Sequence, residues 1–332
     1  MGHKHFSAQE RETLQRCFEL GYSLRRIGQI LGYSPAGISK ERKRNTINGR
    51  YESADAHQRA VNRRKKACQR KKKLSDELEE YVFEKISLYW SPEQVSGRLK
   101  VDFPDRDDMR VSFKTIYRRI ARGVKKRTPW AELYPFLRLK RMGKSMRGHM
   151  KKNPGPAGAL PSIETRPCIV NERNRFGDWE SDLVSGPKGK GHIATFVERK
   201  TNFIMAVECP SRKPNDYNAA AQCSLGRLPA GCVHTVTVDR GCEFYSYREI
   251  EQKIGAKYYF CHPRCPNERG LNEQINGLLR QFFPKGKVLR NIKKELDRAV
   301  ALINHRPRKK LGYKTPVETL SILGLNEMLT FG

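Results

Sequence analysis

The order in which apolar periods follow one another after residue 170 leaves this chain few folds to choose from. Three β-rich runs come first: FGDWESDLVS (176–185), then HIATFVERK and NFIMAVECP, the last two parted by the turn-prone Lys200-Thr201-Asn202. Asn215 to Leu225 reads as a helix. Val233 to Val238 is a strand with Val236 and Val238 inward, Thr235 and Thr237 on the other face, and Asp239-Arg240-Gly241 at its end. Tyr247 to Gly255 is a helix and Lys257 to Phe260 a short strand. PNERGLNEQINGLLRQFFPKG (266–286) then opens on turn residues and closes on Pro284 and Gly286. That leaves room for a helix of roughly 12–14 residues. The succession predicts a mixed α/β sheet with helices on its faces.

The acidic residues of this region fall into register with that sheet. Alternation along the first strand puts Asp178, Glu180 and Asp182 on one face, and Asp239 ends the fourth strand. In the last helix Leu271, Ile275, Leu278, Leu279 and Phe282 form one apolar stripe, while Glu273, Asn276 and Arg280 share another face. Taken alone, this is an ordinary amphipathic helix with a solvated side. Together, Asp182, Asp239 and Glu273 can converge at one sheet edge, where their repulsion calls for a cation. Magnesium prefers such oxygen ligands. Two ions about 3.5–4 Å apart can activate an attacking oxygen on one side of a phosphodiester and stabilise the leaving oxygen on the other.

Charge supplies the partner. Lys and Arg number 66 against 35 Asp and Glu, a formal +31 spread along the whole chain. Such an excess fits a polyanion, because each phosphate contact releases counterions. Nucleic acid is therefore expected. Nine scattered cysteines fit a reducing compartment better than a disulfide framework. No apolar run approaches the ~20 residues of a membrane span. A cytoplasmic, nucleoid-associated protein is expected.

The first 50 residues read as three helices started by Ser7, Ser23 and Ser34, with Pro35 at the favourable first position of the third. Two short helices, a turn containing Gly32 and a basic helix bearing Ser39, Lys40, Arg42, Lys43 and Arg44 make a helix-turn-helix pattern, the basic helix entering the major groove. Residues 58–73 are a basic, helical run suited equally to lying along phosphates or to serving as a solvated linker helix. SFKTIYRRI, from Ser112, resembles a second recognition helix, with Lys114, Thr115, Arg118 and Arg119 polar and Phe113, Ile116, Tyr117 and Ile120 available for packing. Proline-rich, aperiodic sequence from Gly143 to Pro167 marks a linker. The expected organisation is a DNA-binding domain at 1–50, a basic helical region with a second helix-turn-helix at 51–125, a linker at 126–170 and a catalytic domain at 171–325. Cys261-His262-x-x-Cys265 has ligand-like spacing without a second pair to complete a zinc site, and is read as a loop.

WESD (179–182), VERKTNF (197–203), VDRGCEF (238–244), the 33 residues between Asp239 and Glu273, and NEQINGLLRQFFPKG (272–286) resemble the DDE transposases of bacterial insertion sequences. The resemblance is strongest to the insertion-sequence family numbered thirty and runs from the first helix-turn-helix to NHRPRKKLGYKTPVETL (304–320). It implies a ribonuclease-H-like catalytic fold with Asp182, Asp239 and Glu273 as catalytic ligands of two magnesium or manganese ions. It also implies DNA partners, both terminal inverted repeats and target DNA, and a homo-oligomer assembled on them. Arg280 matches a family position facing DNA near the cut. Asp239-Arg240-Gly241 departs from the family's D-N-G or D-H-G, and Pro266-Asn267-Glu268-Arg269-Gly270 from its S-P-W-Q-R-G. The alternative is a catalytically decayed remnant acting only as a sequence-specific DNA-binding regulator.

Overall fold

Serine caps set the start of most helices at the N-terminal end of the chain. The computed structural model describes residues 5–69, 74–138, 160–263 and 265–325. Two compact units divide at Leu74 and Ser75. In the first, Ser7, Ser23 and Ser34 each accept a backbone N–H from the first turn of α1 (Ala8–Glu19), α2 (Leu24–Leu31) and α3 (Pro35–Asn45). Gly32 ends α2 at φ 69°, a left-handed cap that suits glycine. A fourth helix, α4 (Ser53–Gln69), takes up most of the basic run, whose residues 70–73 lie outside the described residues. Leu14, Ile27, Ile38 and Ala56 are fully buried at the centre. The Arg11 guanidinium is also buried, donating to Glu41 at 2.7 Å and to the Phe6 carbonyl at 2.6 Å.

The second unit begins with α5 (Asp76–Ser87), α6 (Pro92–Asp102) and α7 (Phe113–Lys126). Of the expected linker, residues 139–159 lie outside the described residues. The described remainder includes a 3-10 helix, Pro129–Phe136, and the short α8 (Ile169–Glu172) begins at its end. Trp130 is buried against Phe83 and donates to Glu79 at 2.7 Å, tying this segment to α5.

The sheet has the expected strands: β1 (Asp178–Ser185), β2 (His192–Glu198), β3 (Ile204–Cys209), β4 (Thr235–Val238) and β5 (Lys257–Phe260). Their order is β3-β2-β1-β4-β5; β1, β2 and β3 pair antiparallel, while β4 and β5 run parallel to β1. Trp179 and Leu183 join a core with α9 (Pro214–Ser224) and α10 (Tyr247–Ile254). Val184, from the opposite face of β1, joins a second core with α11 (Gly270–Phe282) and α12 (Lys293–Asn304). A final helix, α13 (Pro316–Ile322), carries Glu318, which receives two bonds from Arg98 of α6. Covered on both sides, β4 is buried throughout, so its threonines need partners: Thr235 donates to Asp178 and Thr237 accepts from Arg166, both at 2.7 Å. Leu271, Ile275, Leu278 and Leu279 of α11 are buried as the stripe requires, each contributing about 1.5–3 kcal/mol relative to exposure. Phe282 is half-buried against Tyr89.

Candidate active site

One face of β1 carries three carboxylates with three different environments. Asp178 is buried and receives Arg175 at 2.7 Å as well as Thr235. Glu180 is fully buried; one oxygen pairs with the Arg199 guanidinium and the other accepts the backbone N–H of Asn272 at 3.1 Å, fastening the first turn of α11 to the strand. Asp182 alone opens toward solvent. Its Oδ2 accepts from Asn276 at 2.9 Å, and its Oδ1 accepts the Leu183 N–H at 2.8 Å.

Asp239 follows β4 and is half exposed. Its Oδ1 accepts the Gly241 N–H at 2.8 Å, closing a tight turn that aims Oδ2 at the Arg269 guanidinium, 2.7 Å away. The same guanidinium lies 3.4 Å from Asp182 Oδ1 and donates to the Ser181 carbonyl at 3.0 Å. Burial holds the Asp182 carboxyl above its ordinary value; Arg269 pulls it down and the Asp239 charge pushes it up again. The two aspartates thus converge on a single cationic group at the sheet edge. Glu273 stands exposed on the first turn of α11, one turn before Asn276. Among the described residues no group of three His, Cys, Asp or Glu side chains is close enough to hold a metal ion, so Glu273 is not gathered in with the two aspartates. Asp182, Asp239 and the Ser181 carbonyl are oxygen donors of the type magnesium takes, and a positive charge already sits between them; this pair suits a divalent cation.

Asn276 shares the helix face of Glu273, as the i, i+3 spacing predicts, and also receives Thr195 at 3.3 Å. Arg269 belongs to a short 3-10 turn, where no periodicity betrays a side chain's direction. By alternation alone, Glu180 is one of three equivalent acids. Arg280 is half-buried and donates to the Ser185 carbonyl at 2.7 Å, joining α11 to the end of β1. Arg240 is exposed and its Nε donates to the Cys261 carbonyl at 3.2 Å. In the Cys-His-x-x-Cys segment, burial pushes the Cys261 thiol up to about 12, while His262 faces Glu268 at 2.7 Å and Glu164 at 3.3 Å.

Of the nucleic-acid candidates, Ser39, Lys40, Arg42, Lys43 and Arg44 are all exposed on α3, with Arg42 also lying over the Phe18 ring. On α7, Lys114 and Arg118 are exposed and Thr115 is half-buried. Arg119 is turned to Glu79, 3.6 Å away, and over the Trp130 ring. Phe113 and Tyr117, expected to pack, are instead 40% and 43% exposed, because α7 buries the side marked by Ile116, Ile120 and Gly123. Both rings therefore share the outer surface with Lys114 and Arg118. Among the described residues no helix is long and apolar enough to cross a membrane.

Residues 3–45 match a family model described as a helix-turn-helix domain. The chain is 35% identical over 324 residues to the transposase InsI for insertion sequence element IS30A of Escherichia coli, covering 95% of this chain and 83% of that protein. It is 33% identical to the transposase for IS4351 of Bacteroides fragilis, covering 95% of each, and 34% identical to the transposase for IS1086 of Cupriavidus metallidurans, covering 90% and 89%. A putative integrase of Spiroplasma virus SpV1-R8A2 B is 26% identical over 296 residues.

Proposed function

Because the chain belongs to the insertion-sequence transposase family of IS30, IS4351 and IS1086, we propose that it binds the terminal inverted repeats of such an element and catalyses metal-dependent cleavage and strand transfer. The convergence of Asp182 and Asp239 on one positive charge at the sheet edge carries this reading. In it, Asp182, Asp239 and Glu273 hold magnesium or manganese, Glu273 joining the aspartates from the first turn of α11. Bound there, the ions supply Lewis-acid activation of the attacking and leaving oxygens.

The chain's own residues do the positioning. Asn276 orients the Asp182 carboxylate, and the Gly241 N–H turns Asp239 toward it. Glu180 fixes the turn of α11 that bears Glu273. The exposed basic residues of α3 read the inverted repeat. Lys114 and Arg118, with Phe113 and Tyr117 beside them on α7, add a second site of DNA binding. Assembly of the ends requires at least two copies of the chain on DNA.

The test is nicking and joining of labelled inverted-repeat DNA in magnesium or manganese, beside a binding assay. Glu273→Gln and Asp239→Asn should bind DNA as the parent does and lose both reactions. A Glu273→Gln protein that cuts as well as the parent removes Glu273 from the site.

A further inference from the structure

The guanidinium of Arg269 occupies the space between the two aspartates. It reaches Asp239 Oδ2 at 2.7 Å and Ser181 O at 3.0 Å, lies 3.4 Å from Asp182 Oδ1, and its side chain is only 13% exposed. The other oxygens of the pair are already engaged. Asp239 Oδ1 holds the Gly241 N–H, and Asp182 Oδ2 holds Asn276. Arg269 takes the remaining oxygen of Asp239 and shares Asp182 Oδ1 with the Leu183 N–H, so one guanidinium faces both carboxylates. No such competition exists at Glu180, whose Arg199 partner is buried with it, away from solvent. Asp239, by contrast, keeps 43% of its side chain exposed, so the seat is open to water and to ions.

We infer that Arg269 is the site's internal counter-ion. Its planar fork holds Asp182 and Asp239 convergent, and a divalent cation must displace it from Asp239 to bind there. This rests on the reading of the aspartates as metal ligands. The arginine is a positioning residue. It sets metal affinity by competition and keeps the two carboxylates from repelling each other apart. An arginine fork suits this role because it can donate to two carboxylates and a carbonyl at once, which an ammonium on a flexible stem does less well.

The experiment uses full-length protein without DNA. Manganese binding is measured by calorimetry, and thermal melts are recorded in chelator and in saturating manganese. Arg269→Gln should bind manganese about tenfold more tightly, since one charge-assisted competitor is gone. It should melt lower than the parent in chelator, and manganese should raise its melting temperature more than the parent's. Arg269→Lys keeps the charge but not the fork and should also tighten binding, by a smaller factor. That variant decides the matter if Arg269→Gln does not fold.

Manganese affinity unchanged in both variants overturns the inference. So does tightening in Arg269→Gln alone, which would show long-range charge rather than occupancy. Asp239→Asn separates this from the active-site reading. Manganese binding that survives Asp239→Asn undisturbed refutes the ligand assignment itself. Binding abolished by Asp239→Asn but indifferent to Arg269 refutes only the competition.

Discussion

Exchanging a carboxylate for an amide at Glu180, and separately at Asp182, should give opposite results on the same strand face. At Glu180 the change leaves the Arg199 guanidinium, itself 4% exposed, without its anion; its remaining bond runs to the Val170 carbonyl at 3.2 Å. Breaking a buried pair from one side costs about 3–5 kcal/mol. The glutamine can still accept the Asn272 N–H, so the loss is mainly the unpaired charge. For a unit of this size each kcal/mol lowers Tm by about 2–4 °C, giving a fall of roughly 6–20 °C. At Asp182 the ionised form is already disfavoured by burial and by Asp239, and only partly offset by Arg269. Removing that charge relieves the burial and Asp239 penalties but loses the Arg269 attraction and one of the two hydrogen bonds received from Asn276 and Leu183. These partly cancel, so stability should change by only about 1 kcal/mol, well short of the Glu180 loss. The assay is a pair of thermal melts followed by nicking of inverted-repeat DNA well below both transitions. Glu180→Gln should melt early yet still cut; Asp182→Asn should melt as the parent and not cut. Equal melting temperatures for the two variants would refute the division of β1 into a structural and a catalytic acid.

Replacing Lys43 and Arg44 by alanine should weaken binding to an inverted-repeat duplex and lower the salt slope by about 1 for each phosphate left without its cation; a slope identical to the parent's would place the DNA elsewhere. At His262 the hydrogen bond its ring N–H donates to the Glu268 carboxylate raises the folded pKa above 6.5. The stabilisation is therefore fully present below 6.5 and fades as pH climbs through the folded value. His262→Gln should flatten the Tm profile between about pH 6 and pH 8, and a profile as steep as the parent's would show that another group titrates there.

Periodicity alone determined most of the architecture. The strands, the helices between them and the bounds of α11 follow from apolar spacing and turn residues, because burying one face requires that spacing whatever the partner. The serine caps of the N-terminal unit were equally local, since each answers a backbone N–H within its own first turn. Charge by itself pointed to a polyanion, and the ordered blocks around Asp182, Asp239 and Glu273 pointed to the family. What the sequence left level was the choice among like residues. By alternation Asp178, Glu180 and Asp182 share one face and one chemistry, and only the family resemblance favoured Asp182; the folded sheet gave the physical difference, with Thr235 beside the first, Arg199 beside the second and solvent reaching the third. Phe113 and Tyr117 were as eligible for a core as Ile116, until the packing of α7 turned another side inward. Arg269 lies 30 residues after Asp239 and in no periodic element, so nothing local could aim it. Its place between the aspartates depends on where β1, β4 and the turn before α11 meet, and long-range meetings of that type are settled by tertiary packing.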